Sequence, residues 1–257
     1  MMDIYEEIDK TLKEEKREKD ADQFKIYSEI FDKRTLMILY DLSKKGLIEE
    51  LHGTISSGKE ANILAVKDKN GRYLAIKVYR IETTEFRNMW KYLLGDPRFP
   101  GIKKSRRKII YLWVKKEFRN LKRAYEAGIR VPEPIKFREN VLVMEFIGEG
   151  WVPASTLHES SPEDLESARN MFNEIKEYIE RLYTEAELVH GDLSEYNVLN
   201  YNGTPVLIDW AQAVTLDHPQ AHELLRRDIE NIFKYFAELG IRENWKKFYE
   251  KLVTSSI

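Results

Sequence analysis

The chain runs to 257 residues, enough to bury a sizeable core as one bilobed domain or two small ones. Apolar residues make up 42% and aromatic residues 12%, while acids and bases intermix to a net charge of −2, so no global field favours nucleic acid or a membrane surface. No apolar run approaches the roughly 20 residues of a membrane span, the acidic start argues against a secretory signal, and the lack of cysteine excludes disulfides and thiolate metal sites and fits the cytoplasm.

Residues from about 3 to 19 are mostly charged, with Ile4, Ile8 and Leu12 at helical spacing, which predicts a surface helix or frayed arm. A stronger amphipathic helix is expected over about 22–43, carrying Phe24, Tyr27, Phe31, Met37 and Leu39 and ending near Gly46. Residues 1–46 therefore read as a helical extension. Alternating apolar residues predict strands at about 48–55, 61–67 and 72–79, with Asn70-Gly71 as a hairpin turn. A loop rich in Gly, Pro and basic residues follows from about 81 to 106, with little apolar period. A helix over about 107–127 ends at Gly128, and short strands lie near 135–138 and 141–145. Gly148-Glu149-Gly150 breaks the chain, and helices follow at about 162–183, 220–239 and 243–253. Strands early and helices late predict an α+β molecule: a small β-rich lobe over 47–147, a reduced helical lobe over 148–257, and a ligand cleft between them.

Two stretches near the C-terminus carry the chemistry. In His190-Gly191-Asp192-Leu193-Ser194-Glu195-Tyr196-Asn197, Asp192 and Asn197 stand at the spacing Asp-x-x-x-x-Asn. In Val206-Leu207-Ile208-Asp209-Trp210, a carboxylate ends an apolar run that reads as a buried strand. Phosphoryl transfer from ATP uses this layout: the first Asp accepts the proton of the attacking hydroxyl, while the Asn and the second Asp hold magnesium on the phosphates. Mg²⁺ takes hard oxygen ligands, which a carboxylate and an amide carbonyl supply. Each piece alone is weak, because an Asp after a strand is often a turn residue. In order, with a strand lysine and a Gly-bearing turn upstream, they become specific.

Tyr73-Leu74-Ala75-Ile76-Lys77-Val78-Tyr79 places one lysine inside an apolar strand. A buried, unpaired ammonium is costly, so Lys77 is expected to meet phosphates and a helix carboxylate. Glu117 shares a helical stripe with Trp113, Leu121 and Ala124 and is the expected partner, whereas Lys115, Lys116, Arg119 and Lys122 read as a solvated face. Gly53-Thr54-Ile55-Ser56-Ser57-Gly58-Lys59-Glu60 spells the start of a Walker A loop, but Glu60 replaces the Mg²⁺-binding hydroxyl. The β-like run after it lacks the helix N-terminus that such a loop needs. The segment reads instead as a turn between two strands, lying over the triphosphate.

These residues resemble the RIO family of atypical protein kinases. The resemblance rests on Ser56-Ser57-Gly58-Lys59-Glu60-Ala61-Asn62, Ile76-Lys77-Val78-Tyr79-Arg80, Glu117-Phe118-Arg119-Asn120-Leu121, the His190–Asn197 loop and Ile208-Asp209-Trp210-Ala211-Gln212-Ala213, and it covers about residues 22–240. The stretch around Gly58 is similar to the first subfamily, in an archaeal form, and the roughly 50 preceding residues leave too little room for the winged-helix domain of the second. The resemblance implies a bilobed kinase fold that binds ATP with Mg²⁺ or Mn²⁺. It makes Asp192 the catalytic Asp, Asn197 and Asp209 the metal ligands, Lys77 the phosphate-binding lysine and Ser56 a phosphate contact. Met144, Glu145 and Ile147 belong to the hinge that meets adenine through the backbone. It also implies a role in maturation of the small ribosomal subunit, with some members acting as ATPases through a phosphorylated metal-loop Asp, here Asp209.

Asp209-Trp210-Ala211 replaces the usual Asp-Phe-Gly, no Ala-Pro-Glu follows, and only about ten residues separate Ala211 from the next helix. The segment that normally docks a peptide is therefore missing. Ser194 also stands where a lysine is common, which leaves metal and Lys77 to stabilise the transferred group. A Ser/Thr protein kinase, or an ATPase switch on a ribosomal precursor, is the leading expectation. A small-molecule kinase of the aminoglycoside or choline type is disfavoured by the 48 residues after Asp209, and a non-catalytic, nucleotide-gated assembly factor is the third reading. Lys103, Lys104, Arg106, Arg107 and Lys108 form a basic patch suited to RNA phosphates. Ser105 within it is the expected autophosphorylation site.

Overall fold

The computed structural model describes residues 30–83, 86–94, 96–99 and 105–254. The chain divides into two compact units, Met1–Ile48 and Glu49–Ile257. In the first, helix α1 (Lys33–Lys44) starts where the Asp32 carboxylate accepts the Thr35 N–H at 2.8 Å. Its buried stripe is Ile38, Leu39 and Leu42, with Met37 on the exposed side. The single helix expected over about 22–43 is interrupted at Phe31–Asp32, where Asp32 is extended and caps a new start, and the arm expected over 3–19 and residues 22–29 lie outside the described residues.

The second unit opens with strands β1 (Glu50–Ser57), β2 (Ala61–Lys67) and β3 (Tyr73–Tyr79), and β4 (Pro134–Arg138) and β5 (Val141–Glu145) complete an antiparallel sheet of order β1-β2-β3-β5-β4. Asp68 shapes the β2–β3 turn by accepting the N–H groups of Asn70 and Arg72. Two register shifts curl β1, bringing Ile55 and Ser56 to the cleft described below.

The connection after β3 departs from the expected loop. It contains helix α2 (Phe86–Leu94), built on Phe86, Met89, Trp90 and Leu93 at helical spacing. Met89 and Leu93 are fully buried in one cluster with Ile109, Ile110 and Trp113 of helix α3 (Arg106–Glu126). The Gly and Pro residues that suggested a loop follow this helix in sequence, and burial of its apolar face outweighs their local effect.

Past the sheet, β6 (Gly148–Glu149) and β7 (Val152–Pro153) form a tight hairpin where a simple break was expected. The remainder is mainly helical: α4 (Leu165–Thr184), α5 (Ala221–Glu238) and α6 (Trp245–Thr254), with β8 (Leu188–Val189), β9 (Val198–Tyr201), β10 (Thr204–Leu207) and β11 (Val214–Thr215) as two short antiparallel pairs. Phe172 of α4 sits at the centre of this core, its ring 4.9 Å from those of Phe233 and Phe236 of α5. A five-stranded lobe over a helical lobe, with α3 against the sheet, is the α+β kinase-like plan expected from the pattern.

Candidate active site

A cleft of about 520 Å³ lies between the sheet and the helical part. Ser56, Gly58 and Lys59 contribute to one side of it, Lys77 and Glu117 to its interior, Met144, Glu145 and Ile147 to its rear wall, and Asn197 and Asp209 to its floor. Gly58 closes a strand–turn–strand, its N–H donating to Ala61 O at 2.9 Å, so no helix N-terminus faces the cleft here. Ser57 Oγ donates to Asn62 Oδ1 at 2.8 Å, and Arg80 donates to both, which stiffens the turn.

β3 delivers Lys77 to the interior, with its side chain 10% exposed. Its Nζ donates to Glu117 Oε1 at 2.7 Å and to Asp209 Oδ1 at 2.9 Å. Burial alone would lower the Lys77 pKa, but Asp209 and Glu117 outweigh it and hold the ammonium well above its ordinary value. Glu117 is shifted upward by burial against the pull of Lys77, and it also accepts the Tyr79 hydroxyl at 2.5 Å. Asp209 is held below its ordinary value, because Lys77 more than offsets desolvation.

Asp209 adopts a left-handed backbone with φ +64°. The next residue, Trp210, is 1% exposed, donates its indole N–H to Leu207 O at 3.2 Å and meets the His190 ring edge-on. His190 in turn is bonded at 2.9 Å to Ile208 O, and burial lowers its pKa to about 4. Across the floor, Asn197 donates to Asp192 O at 2.7 Å, and Gln212 donates to Asp192 Oδ2 at 3.0 Å. Burial, then the nearby Asp209 charge, raises Asp192 to about 6.

Two features of the site escaped the sequence reading. Asp228 of α5 is 2% exposed and accepts the N–H groups of Gly191 at 2.7 Å and Leu193 at 2.9 Å, which anchors the loop bearing Asp192. Its signal was available: a carboxylate among Leu224, Leu225, Ile229 and Ile232 on the apolar face of a helix. Lys116 corrects an expectation, since it is not on a solvated face. It is fully buried, donates to Ala211 O at 2.8 Å and Ala213 O at 2.6 Å, and burial lowers its pKa to about 7. The 210–213 loop packs against this side of α3, so two adjacent residues, Lys116 and Glu117, are both buried. Ser105 is exposed at the N-cap of α3, and Arg106, Arg107 and Lys108 after it are exposed, while Lys103 and Lys104 lie outside the described residues.

A two-lobed fold of this plan, with a strand lysine ion-paired to a helix glutamate and to a loop aspartate that has a second aspartate near it, places the chain among the protein-kinase-like phosphotransferases. The family model of the RIO domain matches residues 62–248, and the chain belongs to the RIO kinase family. The RIO-type serine/threonine-protein kinase Rio1 of Methanocaldococcus jannaschii is 46% identical over 243 residues, covering 95% of this chain and 82% of its own length. That of Haloferax volcanii is 44% identical, over 91% of this chain and 79% of its own. Human serine/threonine-protein kinase RIO1 is 38% identical over 93% of this chain and 44% of its own. Among solved structures, an ADP/Mg²⁺-phosphoaspartate complex of Rio2 kinase from Chaetomium thermophilum shares the fold, with a TM-score of 0.63 at 23% identity over 86% of this chain and 70% of that one. The chain is a RIO-type serine/threonine-protein kinase, and these relatives speak against the small-molecule alternative.

Proposed function

We propose that this kinase uses Mg·ATP, that Asp192 accepts the proton of the acceptor hydroxyl, and that Asn197 and Asp209 hold the metal. The observation that carries the reading is the convergence of Lys77 on Glu117 at 2.7 Å and Asp209 at 2.9 Å, with Asp192 held by Asn197 near enough to feel the Asp209 charge. The donor set fits the ion. The Asn197 amide nitrogen is spent on Asp192 O, which leaves its carbonyl oxygen, and with the Asp209 carboxylate it forms a hard-oxygen pair. Bound there, the ion neutralises charge on the phosphates. Lys77 fixes the nucleotide, Glu117 fixes Lys77, and Met144, Glu145 and Ile147 back the adenine, with Ser56 near the phosphates. The Glu145 carboxylate is engaged by Arg130 at 2.8 and 2.9 Å, so only its backbone serves the base.

A second reading, ATP hydrolysis through Asp209, is favoured by the phosphoaspartate in the Rio2 complex and by the short span from Ala211 to α5. There the Asp209 carboxylate displaces ADP from the γ-phosphorus, and water then cleaves the acyl phosphate. Protein substrates would include the chain itself at the exposed Ser105, and a small ribosomal subunit precursor in the cytoplasm is the proposed partner. Incubation with γ-labelled ATP and Mg²⁺ tests these assignments. Label on Ser or Thr, lost in Asp192→Ala, supports transfer to protein, and mass spectrometry should place phosphate on Ser105. Hydroxylamine-sensitive label absent from Asp209→Ala supports the acyl phosphate. Labelling unaffected by both variants would overturn the assignments.

A further inference from the structure

Lys116 and Asn120 lie one turn apart on α3 and are both fully buried. Together they make four hydrogen bonds to the loop behind Asp209. Lys116 Nζ donates to Ala211 O at 2.8 Å and Ala213 O at 2.6 Å, and Asn120 Nδ2 donates to Trp210 O at 3.0 Å and Ala213 O at 2.8 Å. The backbone of Ala211 is engaged on both sides: its N–H supports the charged form of the Asp209 carboxylate, while its carbonyl is held by Lys116. The Lys116 amine carries enough protons for its two bonds in either charge state.

A buried lysine is costly against an apolar residue of similar volume, so stability alone is a poor reason for it here. The left-handed Asp209 backbone is a second cost, and such a conformation persists only where its surroundings over-determine it. The four bonds are those surroundings. Asn120 is itself oriented, since its Oδ1 accepts Arg98 Nη1 at 2.8 Å, and Arg98 is forked onto buried Asp96 at 2.8 and 2.6 Å.

We propose that Lys116, with Asn120, is a positioning residue that clamps the Trp210–Ala213 backbone and so presets the Asp209 carboxylate for metal. The proposal rests on the reading of Asp209 as a metal ligand. One turn of α3 then aligns both halves of the site, Lys77 through Glu117 and Asp209 through the clamp, in a chain with only a short span after Ala211.

The test uses the full chain as Lys116→Met and Asn120→Ala, with Asp209→Asn as reference. ATP binding is titrated by calorimetry against Mg²⁺, and amide hydrogen exchange is followed without nucleotide or metal. Each clamp variant should raise the Mg²⁺ needed for half-maximal ATP binding by about 10- to 100-fold, the usual effect of losing an outer-shell partner. ATP affinity without metal should stay unchanged. Exchange should quicken at Trp210–Ala213 and not in the α4–α5 core. A general loss of structure lowers the active fraction without shifting the Mg²⁺ midpoint, so the midpoint separates positioning from folding. If Asp209→Asn shifts the midpoint and neither clamp variant does, the clamp is refuted while the metal reading stands. If Asp209→Asn shifts nothing, the metal reading fails and the proposal falls with it. Should neither clamp variant fold, the parent protein decides: the proposal requires slow exchange at Trp210–Ala213 without ligands, and exchange at exposed-loop rates overturns it.

Discussion

At the scale of single residues, the two aspartates of the cleft are tuned in opposite directions by what surrounds them. Asp209 is paired with Lys77 and held low, whereas Asp192 is desolvated, feels Asp209 and is raised to about 6. A proton acceptor must start deprotonated, so kcat/KM should climb as pH rises through about 6 and level off above it. In Asp209→Asn the like charge is gone, and the Asp192 carboxyl, followed by NMR, should titrate at lower pH. An unmoved titration would show that burial alone sets it. Asp192→Asn should lower the transfer rate by about 10²–10⁴, the usual worth of a positioned base. Its nucleotide affinity should stay within a few-fold, because Lys77, Glu117 and the rear wall are untouched. A parental rate in single-turnover measurements would contradict the role given to Asp192.

Among the elements, the β6–β7 hairpin has no room for a side chain at Gly148. A Cβ on Gly148 would lie 2.1 Å from Val152 O and 2.9 Å from Pro153 Cα, both backbone atoms that cannot rotate away. Gly150, two residues on, has φ +56° but open space around its Cβ position. Gly150→Ala should therefore cost about 1 kcal/mol through its backbone conformation alone. Gly148→Ala should cost more, roughly 1–3 kcal/mol from overpacking added to any backbone strain. Because the hairpin directly follows Ile147, only Gly148→Ala is expected to raise KM for ATP. Denaturant melts and initial rates on the two variants check this ordering, and equal effects would deny the hairpin its place beside the nucleotide.

For the molecule as a whole, nucleotide binding bridges the sheet and the helical lobe of the second unit, and it should appear as cooperative stabilisation. A ligand at 100 times its Kd adds about 2.7 kcal/mol, which for a domain of this size is an upward shift in Tm of roughly 5–10 °C. With Mg·ATP the shift should be full, with ATP and EDTA smaller, and in Asp209→Asn the two conditions should coincide. Calorimetric scans in the three conditions decide, and a magnesium effect that survives Asp209→Asn would place the ion elsewhere. Among the described residues no helix is long and apolar enough to cross a membrane.

Much of this was legible along the chain because it depends on neighbours in sequence. Alternation of Leu74, Ile76 and Val78 around Lys77 marked a strand, the stripe of Trp113, Leu121 and Ala124 turned Glu117 inward, and the Asp192-to-Asn197 spacing marked a loop with chemistry. Helix α2 was missed although Phe86, Met89, Trp90 and Leu93 carry its period, because nearby glycines and prolines masked a pattern that only burial against α3 stabilises. Lys116 could not be placed from local composition, and for Asp228 the apolar helix face marked burial but not its partners. A lysine in a run of charged residues looks solvated until a loop 95 residues further on brings two carbonyls to it, and Asp228 meets its N–H partners 35 and 37 residues upstream. Sequence by itself determined the order of the main strands and helices other than α2, and the type of chemistry, since periodicity and motif spacing are local. Which polar groups are buried, and what they hold, was decided by the tertiary structure, because a hydrogen bond to a distant backbone carbonyl leaves no trace in the residue that provides it.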